Sequence, residues 1–253
     1  MKLQKYKRDS DVSYAMGATL VAELIKTHPH AITRVFLRPA DKYGDDLKSI
    51  ITDLKSHNVE IIESTKAFNI LGAKDNCLLM AEFKKRGIYG ENKTFNATPS
   101  FFSEITLVHP SDSGNLGTIM RSAAAFGFNY LTIVEPAIDP YDPKVIRASM
   151  GAIFHLIIKT CNEDEYYEDI KTATHCTHFA FILNDQAQKL EEIPADKYRD
   201  ECISLILGNE AAGLPKDFCE RTGATPVYIK QSKYVDSLNL GVAASIAMHH
   251  FAH

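Results

Sequence analysis

The order of apolar and polar positions changes character partway along the chain. Over Asp11 to Lys26 apolar residues recur at helical spacing, and Ile32 to Leu37 reads as a strand. A helix near Asp45 to Ser56, a strand at Val59 to Ile62 and a last apolar run from Cys77 to Phe83 complete a small α/β pattern. Residues 84–100 then mix charges, glycines, asparagines and a proline, which is linker chemistry. The expected division is therefore a small α/β domain over residues 1–95 and a larger one over 96–253.

In the larger part, apolar runs alternate with helical stretches. Strands are expected at Ile105–Val108, Leu131–Val134, Ile153–Ile158, Phe179–Leu183, Ile203–Leu207 and Val227–Ile229, with helices over Thr118–Phe126 and from Leu238 onwards. Continuous apolar strands separated by helices imply an α/β fold, a mostly parallel sheet covered by helices on both faces. Ligands of such sheets bind beyond the carboxyl ends of the strands, so the loops there are where chemistry is expected.

Three of those loops carry suitable residues. After Ile105–Val108 comes Ser111-Asp112-Ser113-Gly114-Asn115-Leu116-Gly117, whose glycines allow tight turning and whose Asn115 offers both a donor and an acceptor. Arg121 lies two residues beyond Ile119 and points away from the apolar stripe of Ile119, Ala123 and Phe126. On this loop alone, Asn115 as a helix cap and Arg121 as a surface cation explain the pattern equally well. The second loop, Gly208-Asn209-Glu210-Ala211-Ala212-Gly213-Leu214-Pro215, puts a carboxylate at the lip of a buried strand, where it needs a partner or costs stability. Pro215 suits the first turn of a helix that Gly223 closes. The third, Lys230 to Asp236, leads into a terminal helix for which Ser237 is the expected cap and Leu238, Val242 and Ile246 the expected buried stripe. Neither nucleotide-phosphate glycine signature is present, which argues against a nicotinamide-dependent oxidoreductase.

Composition narrows the class. The net charge is −4, but residues 1–95 hold 16 Lys+Arg against 12 Asp+Glu while residues 96–253 hold 12 against 20. The front is the basic half, compatible with a domain that meets polyanions. The five cysteines are scattered, without a C-x-x-C pair, and no ligand spacing for a metal appears. No apolar run approaches the ~18 residues of a membrane span, so a cytoplasmic protein is expected.

Taken in order, NLGTIMRSAAAFGF, LILGNEAAGLP and VYIKQSKYVDSLNLGVAASI resemble motifs 1, 2 and 3 of the SpoU (TrmH-type) RNA ribose 2'-O-methyltransferases of the SPOUT class. The stretch Lys144–Ala152 is also similar to that family, and the match covers roughly residues 101–251. Residues 1–95 resemble the ribosomal-protein-like α/β domain with which many members bind substrate RNA.

The resemblance implies a C-terminal trefoil knot, S-adenosylmethionine as cofactor, RNA as substrate, ribosomal favoured over transfer RNA, and a homodimer. By motif position it assigns Leu207, Gly208, Asn209, Ile229 and Leu238 to the cofactor, and Asn115, Arg121, Glu210, Ser237 and Asn239 to the polar active site. Arg121 stays protonated under ordinary conditions, so its expected role is to stabilise a developing alkoxide and clamp phosphate, with Glu210 and Asn115 fixing its pose. The third motif departs from the family, with Lys230, Gln231 and Lys233 where Pro, Met and Gly are usual. Lys230 and Lys233, together with Arg147, are candidate contacts to RNA phosphate. The competing expectation is an RNA-binding assembly factor that keeps this fold without methyl transfer.

Overall fold

The computed structural model describes residues 3–89, 102–184 and 187–252. The chain forms two compact units, one of Met1–Lys93 with Asp139–His155 and one of Thr94–Ile138 with Leu156–His253. The expected boundary at 95 and most of the expected linker lie outside the described residues.

In the first unit, β1 (Val12–Met16), β2 (Ile32–Leu37), β3 (Ile61–Glu63) and β4 (Leu79–Lys84) form a sheet in the order β1-β4-β2-β3. α1 (Ala18–Thr27), α2 (Asp45–Ser56), α3 (Thr65–Leu71) and the short α4 (Arg86–Tyr89) complete it. The helix expected over Asp11–Lys26 is a strand followed by a helix. Gly17, at φ 122°, breaks the pattern, and Val12–Met16 pairs antiparallel with β4 instead. Under this sheet Glu82, 2% exposed, receives the Arg34 guanidinium through Nε at 3.0 Å and a terminal nitrogen at 2.9 Å, and the Thr33 hydroxyl at 2.8 Å. The Tyr14 hydroxyl also donates to it at 3.3 Å and is pushed up to about 12, by burial first and then by the Glu82 charge.

In the second unit the described strands β5 (Ser103–Val108), β6 (Tyr130–Val134), β7 (Ile157–Cys161), β8 (Cys176–Phe181), β9 (Gln188–Lys189), β10 (Cys202–Leu207) and β11 (Thr225–Tyr228) form one sheet. Its order is β7-β6-β5-β10-β8-β11-β9, and every described pairing is parallel. α5 (Ser113–Phe126) follows β5 and begins five residues before the expected Thr118, because the Asp112 side chain caps it. Between β6 and β7 the chain contributes α6 (Pro143–Ala148) to the first unit, where Tyr6 donates to Asp139, the Ser13 hydroxyl donates to the Tyr141 carbonyl at 2.6 Å and His155 meets Glu23 at 2.9 Å. Phe154 packs edge-on against Phe83 there. Ile153 and Phe154 therefore belong to a 3-10 turn of the first unit, and the strand expected at Ile153–Ile158 starts only at Ile157.

α7 (Glu163–Thr172) and α8 (Phe218–Thr222) cover one face of the sheet, burying Val108, Val134, Ile170, Ile206 and Phe218 in one cluster. α8 starts three residues after Pro215 and ends at Gly223 in the left-handed conformation. α9 (Leu240–Phe251) packs on β10 and lies parallel to α5: Thr118 meets Gly241, the Ser122 and Ser245 hydroxyls bond at 2.7 Å, and Phe126 meets the His249 ring. Asn239, not Ser237, caps α9 through Val242 N–H at 3.3 Å. The buried face of α9 is Leu240, Ala244, Ala247, Met248 and Phe251, while Val242 and Ile246 are 46% and 40% exposed. The expected stripe lies outside because packing on β10 and α5 takes the neighbouring face, with its small residues at 241, 244 and 247; the helix also starts two residues after the expected Leu238. Among the described residues no helix is long and apolar enough to cross a membrane, no group of side chains is placed to hold a metal, and all five cysteines are free.

Candidate active site

The carboxyl ends of β5, β10 and β11 deliver three loops to one edge of the sheet. After β5 the chain turns at His109, φ 57°, and the Asp112 carboxylate caps α5 by accepting the Asn115 N–H at 2.7 Å. That turn aims a set of donors at Glu210. The Ser111 hydroxyl donates to Oε2 at 2.7 Å, the Ser111 and Asp112 amides reach the same carboxylate at 3.2 Å, and Asn115 Nδ2 donates to Oε1 at 3.3 Å. Burial works to raise the Glu210 carboxyl, but these hydrogen bonds outweigh it and hold the group below the usual carboxylate range. Asn115 is engaged at its other end too: its Oδ1 accepts from Asn239 Nδ2 at 2.8 Å. Glu210, Asn115 and Asn239 thus form one hydrogen-bonded chain across three loops.

The second loop holds its shape by its own backbone. Asn209 and Gly213 exchange N–H···O bonds of 3.2 and 2.9 Å, and Asn209 Oδ1 accepts from the Ala211 and Ala212 amides. Asn209 Nδ2 donates to the His109 carbonyl at 2.8 Å, tying this hairpin to the end of β5. Only glycine fits at 208, since a Cβ there would lie 2.2 Å from the Gly213 carbonyl carbon.

Between this hairpin and the third loop lies a cleft of about 350 Å³. Leu207, Gly208, Asn209, Ile229 and Leu238 all line it, with Val227, Leu240 and Ala243 adding apolar wall. Glu210 and Ser237 stand at the same cleft, and Glu210 joins it to Asn115 and, through Asn115, to Asn239, neither of which is part of the lining itself. The volume is at the lower end of small-ligand sites, and the lining is of the mixed kind that holds an apolar body and orients a few polar groups.

Arg121 is elsewhere. It is exposed on α5, about 9 Å along the axis from Asn115 and about 120° round it. No hydrogen bond or ion pair joins it to Glu210 or Asn115, so the expectation that these two fix its pose fails within one chain. Lys230 and Lys233 are exposed on the third loop, and Arg147 is exposed on α6 of the first unit.

The SpoU rRNA methylase family model matches residues 103–249, well over half of the chain. The chain belongs to the SpoU rRNA methylase family. Among its relatives in that family are the 23S rRNA (guanosine(2553)-2'-O)-methyltransferase RlmP of Bacillus subtilis, 30% identical over 139 residues covering 55% of this chain and 53% of that one. The 23S rRNA (uridine(2479)-2'-O)-methyltransferase of Streptomyces viridochromogenes is 28% identical over 153 residues, 58% of this chain and 51% of that one. The chain thus spans about half the length of these curated relatives. In fold it is similar to the AdoMet-bound rRNA methyltransferase of Sinorhizobium meliloti, with a TM-score of 0.77 at 23% identity over 95% of this chain and 87% of that one.

Within this SpoU site, sequence reasoning missed Ser111 and Asp112. Their donors matter only because Glu210, 99 and 98 residues away, is folded against them. Gln231, a departure from the family pattern in the sequence, lines the cleft and donates Nε2 to the Asp236 carbonyl at 3.0 Å.

Proposed function

We propose that this protein is an S-adenosylmethionine-dependent methyltransferase acting on a ribose 2'-hydroxyl of RNA, with ribosomal RNA favoured over transfer RNA. The observation that carries the reading is the Glu210–Asn115–Asn239 chain, whose Glu210 lines the same cleft as Leu207, Gly208, Ile229 and Leu238. The relatives named as ribosomal RNA 2'-O-methyltransferases support the choice of substrate.

The residues present fit the cofactor. Leu207, Val227, Ile229, Leu238 and Leu240 offer apolar contact to an adenosine, and the 208–213 hairpin brings backbone polar groups to the same wall. When bound, the cofactor supplies an electrophilic methyl group on a sulfonium. The protein's part is alignment and charge, since methyl transfer to an alcohol is an in-line displacement needing little covalent help. Asn115, its amide fixed at both ends, and Ser237 are the groups that orient the ribose. Arg121 stabilises the developing alkoxide and clamps the neighbouring phosphate as a permanently protonated fork.

Because Arg121 lies apart from Glu210 in its own chain, we read the active form as a homodimer in which each arginine serves the partner's cleft. Support comes from the neighbouring surface of the parallel α5–α9 pair, where Val242 and Ile246 leave apolar side chains in water. We further read the C-terminal segment as a trefoil knot, a reading supported by the late strands β10 and β8 following the early strand β5 in the sheet and by two C-terminal loops sharing one cleft. The first unit is the substrate RNA-binding domain in this reading, supported by the basic balance of residues 1–95. Transfer of tritium from labelled S-adenosylmethionine to ribosomal RNA, with 2'-O-methyl mapping in cells with and without the gene, tests the whole proposal. Absence of both transfer and a gene-dependent methyl site overturns it.

A further inference from the structure

We propose that Tyr234 is a stacking platform for an unpaired nucleobase of the RNA, with Lys230 and Lys233 holding the adjoining phosphates. This rests on the RNA reading above and names how the strand is seated at the cleft.

Tyr234 is 97% exposed, the most exposed large hydrophobic side chain among the described residues. A lone exposed aromatic would mean little. Here its placement is specific. Gln231 and Ser237 both line the cleft, and the residues between them, Ser232 to Asp236, are all exposed. The hydrogen bond from Gln231 Nε2 to the Asp236 carbonyl at 3.0 Å closes this excursion at its base, and Lys233 and Tyr234 form the turn at its tip. Tyr234 is three residues from each rim residue, so its Cα lies within about 10 Å of the cleft mouth. The ring is held on a pinned loop beside the opening where a ribose has to be presented.

The chemistry around the ring selects the ligand. Lys230 and Lys233 are exposed and pair with no carboxylate among the described residues, leaving two cations on the same loop as the ring, one beside the cleft-lining Gln231 and one next to Tyr234. An exposed aromatic face with two cations on the same loop suits a base on a sugar-phosphate strand and tolerates any base identity. Paired RNA hides its base faces, so the ligand is a loop, bulge or other single-stranded segment. Gln231 acts through this loop as a positioning residue, holding the tip at the rim.

The chain has no tryptophan, so Tyr234→Trp installs a single reporter at the tip. Titration with a mixed-sequence single-stranded 12-mer of RNA is expected to quench its fluorescence saturably, whereas inorganic polyphosphate, which has no bases, binds without quenching. Tyr234→Ala is expected to weaken 12-mer binding and raise KM for ribosomal RNA about tenfold to a hundredfold, with Tyr234→Phe within about twofold of the parent. S-adenosylmethionine affinity by calorimetry and molecular mass by light scattering stay unchanged in both. Equal RNA affinity in Tyr234→Ala, quenching by polyphosphate, or a change of mass in Tyr234→Ala overturns the proposal. Quenching by the 12-mer in a protein that transfers no methyl group supports stacking while rejecting the enzymatic reading. Methyl transfer without base-dependent quenching rejects stacking alone.

Discussion

Asn239 donates its Nδ2 hydrogen to Asn115 Oδ1 at 2.8 Å, and this bond decides which way the Asn115 amide faces. With its oxygen committed to Asn239, Asn115 can only present Nδ2 to Glu210, at 3.3 Å. The residue that caps α9 therefore sets the polarity of a side chain on α5, which links the loops after β5, β10 and β11.

Replacing Asn239 by Asp tests that polarity with little structural cost. Aspartate caps a helix as well as asparagine does, so α9 keeps its cap to Val242. The new carboxylate cannot donate to Asn115 Oδ1; flipping the Asn115 amide to satisfy it would turn that oxygen towards the Glu210 carboxylate. Methyl transfer to ribosomal RNA is expected to fall at least about tenfold, the scale of one charge-assisted hydrogen bond, with Tm nearly unchanged. Full activity in Asn239→Asp would remove the amide's orientation from the mechanism.

Ser111 controls the charge of the same network. Its hydroxyl and amide are among the groups that hold the Glu210 carboxyl low against burial. A carboxyl lowered on folding stabilises the native state fully above its unfolded value, about 4.3, and loses that contribution as pH falls through the folded one. Ser111→Ala is expected to cost about 1 kcal/mol at pH 7, judged from one part-exposed hydrogen bond to a charge. Denaturant titrations should show the difference shrinking as pH is lowered through the carboxylate range. A gap that stays constant with pH would mean that Ser111 acts by packing alone.

Much of this site was legible in the sequence for a physical reason: strand-end loops of a parallel sheet declare themselves as glycine and asparagine clusters after apolar runs. Gly208 is assigned by its position in the family motif, and the structure supplies the physical reason for a glycine there: the hairpin leaves no room for a Cβ. What was not legible is long-range or competitive. Gly17 splits a helical pattern into β1 and α1, since pairing with β4 outweighs periodicity over Val12–Met16. Residues 139–155 look continuous with the second unit along the chain but hydrogen-bond to Tyr6, Ser13 and Glu23 of the first. On α9, Val242 and Ile246 read as core because periodicity finds a stripe without saying which stripe meets the sheet.

The Arg34–Glu82 pair, its carboxylate buried and its guanidinium partly so, supplies a test of the first unit. Glu82 is 2% exposed and takes hydrogen bonds from Arg34, Thr33 and Tyr14, so removing its charge takes the buried carboxylate away from the guanidinium. Glu82→Gln is expected to destabilise the protein by about 3 kcal/mol, whereas pairing Glu82→Leu with Arg34→Met should cost clearly less, because neither charge is then left unpaired. Denaturant unfolding of the full chain measures both. A double variant as unstable as Glu82→Gln would show that the pair specifies packing beyond its own electrostatics.

The separation of Arg121 from Glu210 makes the dimer reading testable without a structure of the complex. If each arginine serves the partner's cleft, Arg121→Ala and Glu210→Ala are both inactive alone, because every site lacks one of the two groups. Mixed and refolded together in equal amounts, about half of random dimers are heterodimers, and each of these contains one site with both groups intact. About a quarter of sites should then regain methyl transfer, by simple pairing statistics. If Arg121 serves its own chain, no site in any mixture has both residues and no activity returns. Ile246→Glu provides the control, since a charge on the exposed face of α9 is expected to prevent pairing and abolish the regain. Light scattering on that variant should report a monomer. Regain of activity that survives Ile246→Glu would separate the arginine's service in trans from the α9 face and send the search for the dimer contact elsewhere on the second unit.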